Sequence, residues 1–337
     1  MAISLLPLLV CALSFLIGSS FGSLAAGRGI GVNYGRLGSN LPPPDRVVSL
    51  LKSRNVTRTR VFNPDQDVLR AFEGSGVEVT LGTLNGDLPA LASDKSFAAE
   101  WVNDNIVPFA DSVAFRYITV GNEVIPSELG PAVQNLEEAL RSVNLQIPVT
   151  TVVATNVLGV SFPPSQGAFS EAAGPIMTSL LAFLASKNTP LLVNVYPYFA
   201  YAADPKSFIL DYALLNTTKV IVHDGALGYT NLFDAIVDAV YSAMEKVSAS
   251  SIDIAVSETG WPSGGGPVAA TIENARIYNN NVAERVKADV GTPKRPGKFI
   301  ETYLFALFNE NRKPEGTEQN FGLYYPNMTE VYRVDLS

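Results

Sequence analysis

Short β-branched or aliphatic segments alternate with longer amphipathic segments along most of this chain, and this alternation limits its possible folds more than any other feature. Apolar runs of about four to eight residues bounded by turn residues are typical of buried strands, and longer runs with a 3.6-residue period are typical of helices. Helical patterns occur, for example, at residues 44–51, 131–140 and 231–240. The predicted strands are residues 29–34, 59–62, 77–84, 117–122, 149–154, 191–196, 254–257 and 299–308.

A strand followed by a helix, eight times over about 300 residues, predicts an α/β fold of the single (β/α)8 TIM-barrel type. A doubly wound open sheet produces a similar string of elements and remains the alternative. No Gly/Ser linker, charge block or internal repeat divides the chain, so we expect one barrel domain over residues 26–337.

Two glutamates stand at the ends of predicted strands, Glu123 after the fourth and Glu258 after the seventh. All strands of a parallel barrel open their carboxyl ends on one rim, so both side chains could reach one cleft. In an open sheet these two strands would usually lie too far apart. A lone glutamate at a strand end is more often a solvated rim residue, but two that face one cleft are what glycosidic bond cleavage requires. We therefore predict that they form a catalytic pair.

The neighbours of each glutamate suggest different roles. Asn122 directly precedes Glu123, and adjacent side chains on a regular strand point to opposite faces, so both reach the cleft only if a bulge or loop re-aims one. Asn122 would then bind a sugar hydroxyl while Glu123 reaches the glycosidic oxygen. Glu258 is followed by Gly260, which permits a sharp turn, and by Trp261. The Trp261 ring offers a flat apolar face for a pyranose, with plain core packing as the alternative.

Composition excludes several other functions. A net charge of -8 with scattered basic residues argues against nucleic acid and against an anionic membrane surface as partners. His223 is the single histidine and Cys11 the single cysteine, so we predict no metal site. No Gly-x-Gly-x-x-Gly sequence follows a strand, and we expect no cofactor.

Residues 1–25 carry no charged side chain and contain an apolar run at residues 5–17 that ends in small residues. This pattern predicts a secretory signal peptide that is removed near Ala25 or Ala26, with an uncleaved anchor as the alternative. The mature chain would lose Cys11 and contain no disulfide. We expect it to be secreted to the extracellular space or cell wall, or delivered to the vacuole, as a monomer without a membrane segment. Asn55, Asn216 and Asn327 begin the Asn-x-Thr sites where glycosylation is expected.

Five segments together resemble the plant endo-β-1,3-glucanases, glycoside hydrolase family 17. The resemblance covers nearly the whole chain, from about Ile30 to its carboxyl end. The segments are Gly31-Val-Asn-Tyr34-Gly, Val120-Gly-Asn-Glu123, Asn194-Val-Tyr-Pro-Tyr-Phe199-Ala-Tyr, Val256-Ser-Glu258-Thr-Gly-Trp-Pro-Ser263 and Phe308-Asn-Glu-Asn311.

The resemblance implies a (β/α)8 barrel that hydrolyses internal β-1,3 linkages of glucans with retention of configuration. Glu258 falls on the position of the family's nucleophile and Glu123 on that of its acid/base. Retention implies carboxyl groups about 5–5.5 Å apart. A β-glucan polysaccharide is the expected partner, either endogenous callose or a fungal wall glucan.

The resemblance also implies supporting residues in the cleft. Glu310, Lys313 and Glu318 match a group near the last strand, and Tyr34 and Tyr196 match positions close to the nucleophile. Lys313 could lower the pKa of the nucleophile, or it could be a surface lysine without a role. Other aromatic residues near the sixth and last strands offer sugar-stacking faces, although half of them could be core or rim packing: Tyr198, Phe199, Tyr201, Phe308 and Phe321.

Two alternatives to a β-1,3-glucanase remain open at this point. The family resemblance also allows cleavage of mixed β-1,3;1,4-glucan, which depends on the shape of the subsites. A barrel that binds glucan without catalysis would need stacking faces but no nucleophile, so the retained glutamates favour a hydrolase.

Overall fold

Eight parallel strands close into a barrel in the computed structural model, which describes residues 29–336. The barrel closes because β1 pairs with both β2 and β8, which excludes the open sheet. All eight predicted strands are present, and the predicted (β/α)8 barrel is confirmed. The proposed signal peptide and Cys11 lie outside the described residues. The barrel strands β1 to β8 are, in order, Gly31–Tyr34, Arg58–Val61, Glu78–Gly82, Ala114–Asn122, Val149–Ala154, Leu191–Asn194, Ile254–Thr259 and Thr302–Leu304.

Helices surround the barrel, and each of the first seven strands is followed by at least one of them. Two antiparallel hairpins lie outside the barrel, Leu158–Val160 with Ala168–Phe169 and Val222–Asp224 with Leu227–Tyr229. Helices α1 to α10 are Pro44–Ser53, Gln66–Phe72, Leu88–Ser93, Lys95–Asn105, Leu129–Ser142, Gly174–Lys187, Pro197–Ala203, Leu210–Ala213, Leu232–Lys246 and Ile272–Ala288. Short 3₁₀ turns occur at Asn85–Asp87, Val107–Phe109, Thr155–Val157, Pro164–Gln166 and Thr317–Gln319.

The segment after β8 departs from the prediction of an eighth strand–helix unit. Residues 299–308 were expected to form one long strand, but the strand ends at Leu304. The Ala306 amide donates to the Phe321 carbonyl, and the Ala306 carbonyl accepts from the Leu323 amide, so the backbone there pairs with a later segment of the chain. The Leu307 amide donates to the Asn33 carbonyl of β1, and the Tyr324 amide donates to the Leu307 carbonyl. Of the described residues beyond β8, only a 3₁₀ turn is helical, so an irregular stretch takes the place of the eighth helix.

Local sequence explains where the long helices begin and which face they bury. The Asn231 side chain accepts a hydrogen bond from the Asp234 amide at the start of α9, and Thr271 caps α10 in the same way. In α5, the buried residues Leu129, Val133 and Leu136 recur every three or four positions and form one apolar face. These faces pack on the outside of the barrel, where most of the core lies. None of the described helices is long and apolar enough to cross a membrane.

The barrel interior is partly polar, unlike the surrounding core. Val152, Leu192 and Ala255 form a small apolar cluster separate from the main core. Arg58 and Arg60 lie two residues apart on β2, so their side chains point to the same face, and both are fully buried. Arg60 contacts residues at the carboxyl ends of β4 and β7, which places its guanidinium inside the carboxyl end of the barrel.

Candidate active site

A cleft of about 1150 Å³ opens at the carboxyl ends of the strands, and both Glu123 and Glu258 line it. The fold therefore brings together two side chains that lie on the fourth and seventh strands, as the barrel geometry predicts. Other sequence-predicted residues that line the same cleft are Asn122, Tyr196, Phe199, Glu310, Lys313 and Glu318.

A distortion at the end of β4 turns both Asn122 and Glu123 toward the cleft. The pairing of β4 with β5 shifts register between Thr119 and Asn122. Gly121 and Glu123 both adopt left-handed backbone conformations, with φ of 71° and 58°. Glycine tolerates this conformation without cost, whereas for Glu123 it is strained and must be held by its surroundings. The Glu123 amide donates to the Val152 carbonyl at 2.9 Å, which anchors the turn to β5.

The β3–α3 loop holds this turn from the other side. The Asn85 side chain bonds both backbone groups of Asn122: its Oδ1 accepts from the amide at 2.7 Å, and its Nδ2 donates to the carbonyl at 3.0 Å. The Thr83 hydroxyl accepts from the Gly121 amide at 3.0 Å. The strained conformation of Glu123 is therefore fixed by side chains from a neighbouring element.

Glu258 is buried and bonded on both carboxylate oxygens. The pairing of β7 with β6 shifts register between Val256 and Glu258, as at β4. Arg60 Nη1 donates to Glu258 Oε1 at 2.6 Å, and the Tyr196 hydroxyl donates to Oε2 at 2.7 Å. These donors are of the kind that a carboxylate anion accepts. Only 5% of Glu258 is exposed, so its position is closely defined.

Glu123 has a different environment. The residue is open to the cleft, and Asn194 Nδ2 donates to its Oε1 at 2.8 Å. Partial burial of the carboxyl raises the pKa of Glu123, and the negative charge of Glu258 raises it further, while the Asn194 hydrogen bond opposes this change. Glu258 is thus ion-paired with arginine, whereas the pKa of Glu123 is raised.

Glu310, Lys313 and Glu318 form a charged group that also lines the cleft. Lys313 Nζ lies 3.6 Å from Glu310 Oε2, 4.0 Å from Glu318 Oε2 and 4.0 Å from the centre of the Phe305 ring. Its side chain is only 14% exposed, so it is not a free surface lysine. Burial is the main cause that raises the pKa of Glu310. Lys313 therefore pairs with these two carboxylates, and Arg60 is the cation that contacts Glu258.

Glu310 also supports the loop that follows β1. Its Oε1 accepts from the Leu37 amide at 2.6 Å. A side chain at Gly35 would collide with the Glu310 carboxyl, because a Cβ atom there would lie 2.3 Å from Oε2. The absence of a side chain at Gly35 lets the two segments meet.

Tyr196 and Phe199 line the cleft as predicted, together with Phe305 and Phe321. Their rings contact one another at centroid distances between 5.4 and 6.2 Å. Phe199 is 41% exposed and offers an open face to a ligand.

The structure corrects the prediction for three other residues that were expected to bind the substrate. Trp261 is fully buried, and its Nε1 donates to the Ala269 carbonyl at 2.8 Å. The turn at Gly260 directs the Trp261 ring inward, where it packs against Tyr198, so it has no free face for a sugar. Tyr34 and Phe308 are also buried and contact each other edge to face. None of the three lines the cleft, and the prediction that they bind substrate directly is wrong.

Sequence reasoning missed three polar residues that surround the two glutamates: Arg60, Asn194 and Ser257. Arg60 was detectable in principle, because the Arg-Thr-Arg order of residues 58–60 places two charges on one face of a barrel strand. Asn194 and Ser257 carry no such signal, since amide and hydroxyl residues are common at strand ends.

The remaining predicted features do not line the cleft. No group of histidine, cysteine, aspartate and glutamate suited to a metal ion occurs within residues 29–336. His223 is exposed on the second hairpin, and Asn55, Asn216 and Asn327 are exposed.

The sequence and the fold match known proteins over nearly their full length. The family described as Glycosyl hydrolases family 17 matches residues 30–336. A glucan endo-1,3-beta-glucosidase of Vitis vinifera is 46% identical over 321 residues, covering 92% of each chain. Lichenase-2 of Hordeum vulgare is 47% identical over 310 residues, which are 91% of this chain and 98% of that protein. The solved structure of CJP38, a beta-1,3-glucanase and allergen of Cryptomeria japonica pollen, superposes with a TM-score of 0.89 at 51% identity, covering 92% of this chain and 99% of CJP38.

Proposed function

Because this chain belongs to glycosyl hydrolases family 17, we propose that it is a glucan endo-1,3-β-glucosidase that cleaves internal linkages with retention of configuration. One observation carries the proposal: Glu123 and Glu258 share a cleft in environments that suit an acid and a nucleophile. The names of its relatives in Vitis vinifera and Cryptomeria japonica support the β-1,3 linkage.

The first step of the proposed mechanism forms a covalent glycosyl enzyme. Glu258, ionised and oriented by Arg60 and Tyr196, attacks the anomeric carbon of the sugar. Glu123, whose pKa is raised by burial and by the Glu258 charge, acts in its acid form and gives its proton to the departing oxygen. The bond to the leaving chain breaks as the bond to Glu258 forms.

The second step hydrolyses that intermediate. Formation of the ester neutralises Glu258, so the charge that raised the pKa of Glu123 is removed and Glu123 can act as a base. It takes a proton from a water molecule, which attacks the anomeric carbon and frees Glu258. Two inversions at one carbon give net retention.

The shape of the cleft suits a polymer cut at internal positions. Several large apolar side chains that are exposed to solvent line it on different sides of the glutamates, which fits the apolar faces of successive sugar rings. They are Leu37, Leu84, Phe162, Phe199 and Ile209. A closed pocket would instead suit removal of terminal sugars.

Substitution of each glutamate tests the roles proposed for them. Glu258→Gln should abolish hydrolysis of both laminarin and a dinitrophenyl laminaribioside, because both need the nucleophile. Glu123→Gln should lower laminarin hydrolysis by about 10²–10⁴-fold and affect the dinitrophenyl substrate much less, because that leaving group needs no proton. Reducing-end release and dinitrophenol absorbance measure the two reactions.

Glu284→Gln, at an exposed position on α10, is the matched control and should leave both rates unchanged. Circular dichroism would check that each variant is folded. Near-normal laminarin hydrolysis by a folded Glu258→Gln or Glu123→Gln protein would contradict the assignment.

Cleavage of mixed β-1,3;1,4-glucan is the second candidate function. It is favoured by the relative named Lichenase-2, which is as similar to this chain as the relative named for β-1,3 cleavage. Comparing kcat/KM on laminarin and on barley mixed-linkage glucan distinguishes the two. A barrel that only binds glucan would release no reducing ends from either polymer.

We also propose that the enzyme enters the secretory route through a signal peptide at residues 1–25 and acts as a monomer in the wall, the extracellular space or the vacuole. Glycosylation at Asn55, Asn216 and Asn327 is compatible with the exposure of all three side chains. Intact mass before and after glycosidase treatment of the secreted protein would measure both cleavage and glycan occupancy.

A further inference from the structure

Asn194, at the end of β6, links β7, the strand that carries Glu258, to the carboxyl group of Glu123. Its Nδ2 donates to Glu123 Oε1 at 2.8 Å, and its Oδ1 accepts from the Ser257 hydroxyl at 2.7 Å. Ser257 immediately precedes Glu258 on β7. Ser257 is fully buried and Asn194 nearly so, so water cannot readily replace the hydrogen bond between them.

The orientation of the Asn194 amide follows from groups on both sides of it. Arg60 is a donor only, and its Nη2 donates to Asn122 Oδ1 at 2.8 Å, so an oxygen of Asn122 must face the cleft interior. That oxygen lies 3.4 Å from Asn194 Nδ2. A flipped amide would set two oxygens against each other and would leave the Ser257 hydrogen without its acceptor. Ser257 and Asn122 therefore both favour the observed orientation.

This orientation of the Asn194 amide determines which carboxyl oxygen of Glu123 carries the proton. Because the Asn194 N–H occupies Oε1, the acid form carries its proton on Oε2. The same N–H stabilises the carboxylate form of Glu123, as does the positive charge of Arg60. The negative charges of Glu258 and Glu318 destabilise that form. The Tyr196 hydroxyl, the other titratable group nearby, is engaged with Glu258.

We infer that Ser257 is a positioning residue for Glu123: its hydroxyl fixes the Asn194 amide, and that amide selects the glutamate oxygen that delivers the proton. The inference rests on the hydrolytic function proposed above. Strand β7 thus carries the nucleophile at Glu258 and, one residue earlier, a group that orients the acid across the cleft.

Ser257→Ala tests the inference through the pH dependence of kcat/KM on laminarin. Loss of the hydroxyl loosens the amide and weakens its N–H donation, so the pKa of Glu123 should rise. Glu123 must be protonated in the first step, so kcat/KM is lost at alkaline pH as Glu123 loses its proton. This alkaline limb of the pH profile should shift to higher pH by about half to one unit. At the optimum, kcat/KM should fall about tenfold on laminarin. A dinitrophenyl laminaribioside, which needs no proton, should lose about twofold or less.

A double-mutant cycle isolates the route through Asn194. Asn194→Ala should shift the same limb, and Ser257→Ala added to it should cause no further shift, because Ser257 acts only through that amide. Ser257→Cys, similar in size but a weak donor, should give an intermediate shift and provides a second test if the alanine protein does not fold.

Thr119→Val on β4 is the matched control. Thr119 is equally buried, and its hydroxyl has no hydrogen-bond partner among the described residues, so the limb should not move. With an active wild type, two results would overturn the inference. One is an alkaline limb that does not shift in folded Ser257→Ala or Ser257→Cys, and the other is a further shift in the double variant. A wild type inactive on laminarin and on mixed-linkage glucan would instead contradict the proposed function.

Discussion

Arg58 and Arg60 have different roles although they lie two residues apart on the same face of β2. The Arg58 guanidinium lies 3.6 Å from Glu301 near the amino ends of the strands, and Arg60 lies 2.6 Å from Glu258 near the carboxyl ends. Both are fully buried, and each faces a buried carboxylate. In a barrel, the position of a charge along the strand decides whether it supports the fold or the reaction.

Arg60→Lys should lower kcat/KM on laminarin by about 10²-fold, because an ammonium cannot donate to Glu258 and Asn122 in the forked geometry of arginine. Steady-state kinetics and a thermal melt measure the effect on catalysis and on folding. Arg58→Lys is the control on the same strand and should alter the melting temperature more than kcat/KM. Activity within about twofold of wild type in folded Arg60→Lys would contradict this role.

At the scale of elements, the β3–α3 loop and the end of β4 act as one unit. The side chains of Thr83 and Asn85 hold the backbone of Gly121 and Asn122, and the strained φ of Glu123 depends on that support. The sequence predicts β4 and its last residues well, because the apolar run is local. It does not predict the reversal of the backbone at Gly121, because the stabilising bonds come from residues about forty positions away.

Asn85→Ala should lower kcat on laminarin about tenfold with a smaller change in KM, because the turn that aims Glu123 loses two hydrogen bonds. Asp87→Ala, in the same 3₁₀ turn, is the control, since Asn85 supplies the bonds to Asn122. Kinetics of both purified variants on laminarin provide the measurement. Equal losses in the two variants would assign the effect to the turn as a whole instead of to the Asn85 amide.

At the scale of the whole molecule, the two ends of the barrel divide function and stability between them. The carboxyl end holds the cleft, and the amino end holds a buried network around Glu301. Glu301 accepts hydrogen bonds from Arg116 at 2.7 Å and from the Tyr303 and Tyr117 hydroxyls at 2.7 and 3.3 Å. This arrangement follows the general division in such barrels, where residues at the amino end serve stability.

Glu301→Gln should destabilise the protein by about 3 kcal/mol, because it removes the negative charge that faces the buried Arg58 and the partly exposed Arg116. At a temperature where the variant is folded, kcat/KM on laminarin should stay within about twofold of wild type. Chemical denaturation and laminarin kinetics measure the two quantities. Glu138→Gln, which breaks an exposed ion pair with Lys95, should leave the denaturation midpoint unchanged. A loss of activity without a loss of stability in Glu301→Gln would contradict the division.

The sequence by itself determined the alternation of strands and helices and the two strand ends that carry Glu123 and Glu258, and the closure of the barrel is seen in the pairing of β1 with β8. Strand and helix periodicities and the apolar runs before the glutamates are local properties that can be read without contacts. The tertiary structure decided which other residues surround the two glutamates. It buried Trp261, Tyr34 and Phe308 and placed Arg60 between the glutamate strands. Burial and hydrogen bonding join residues that are distant in sequence, and so local patterns do not encode them.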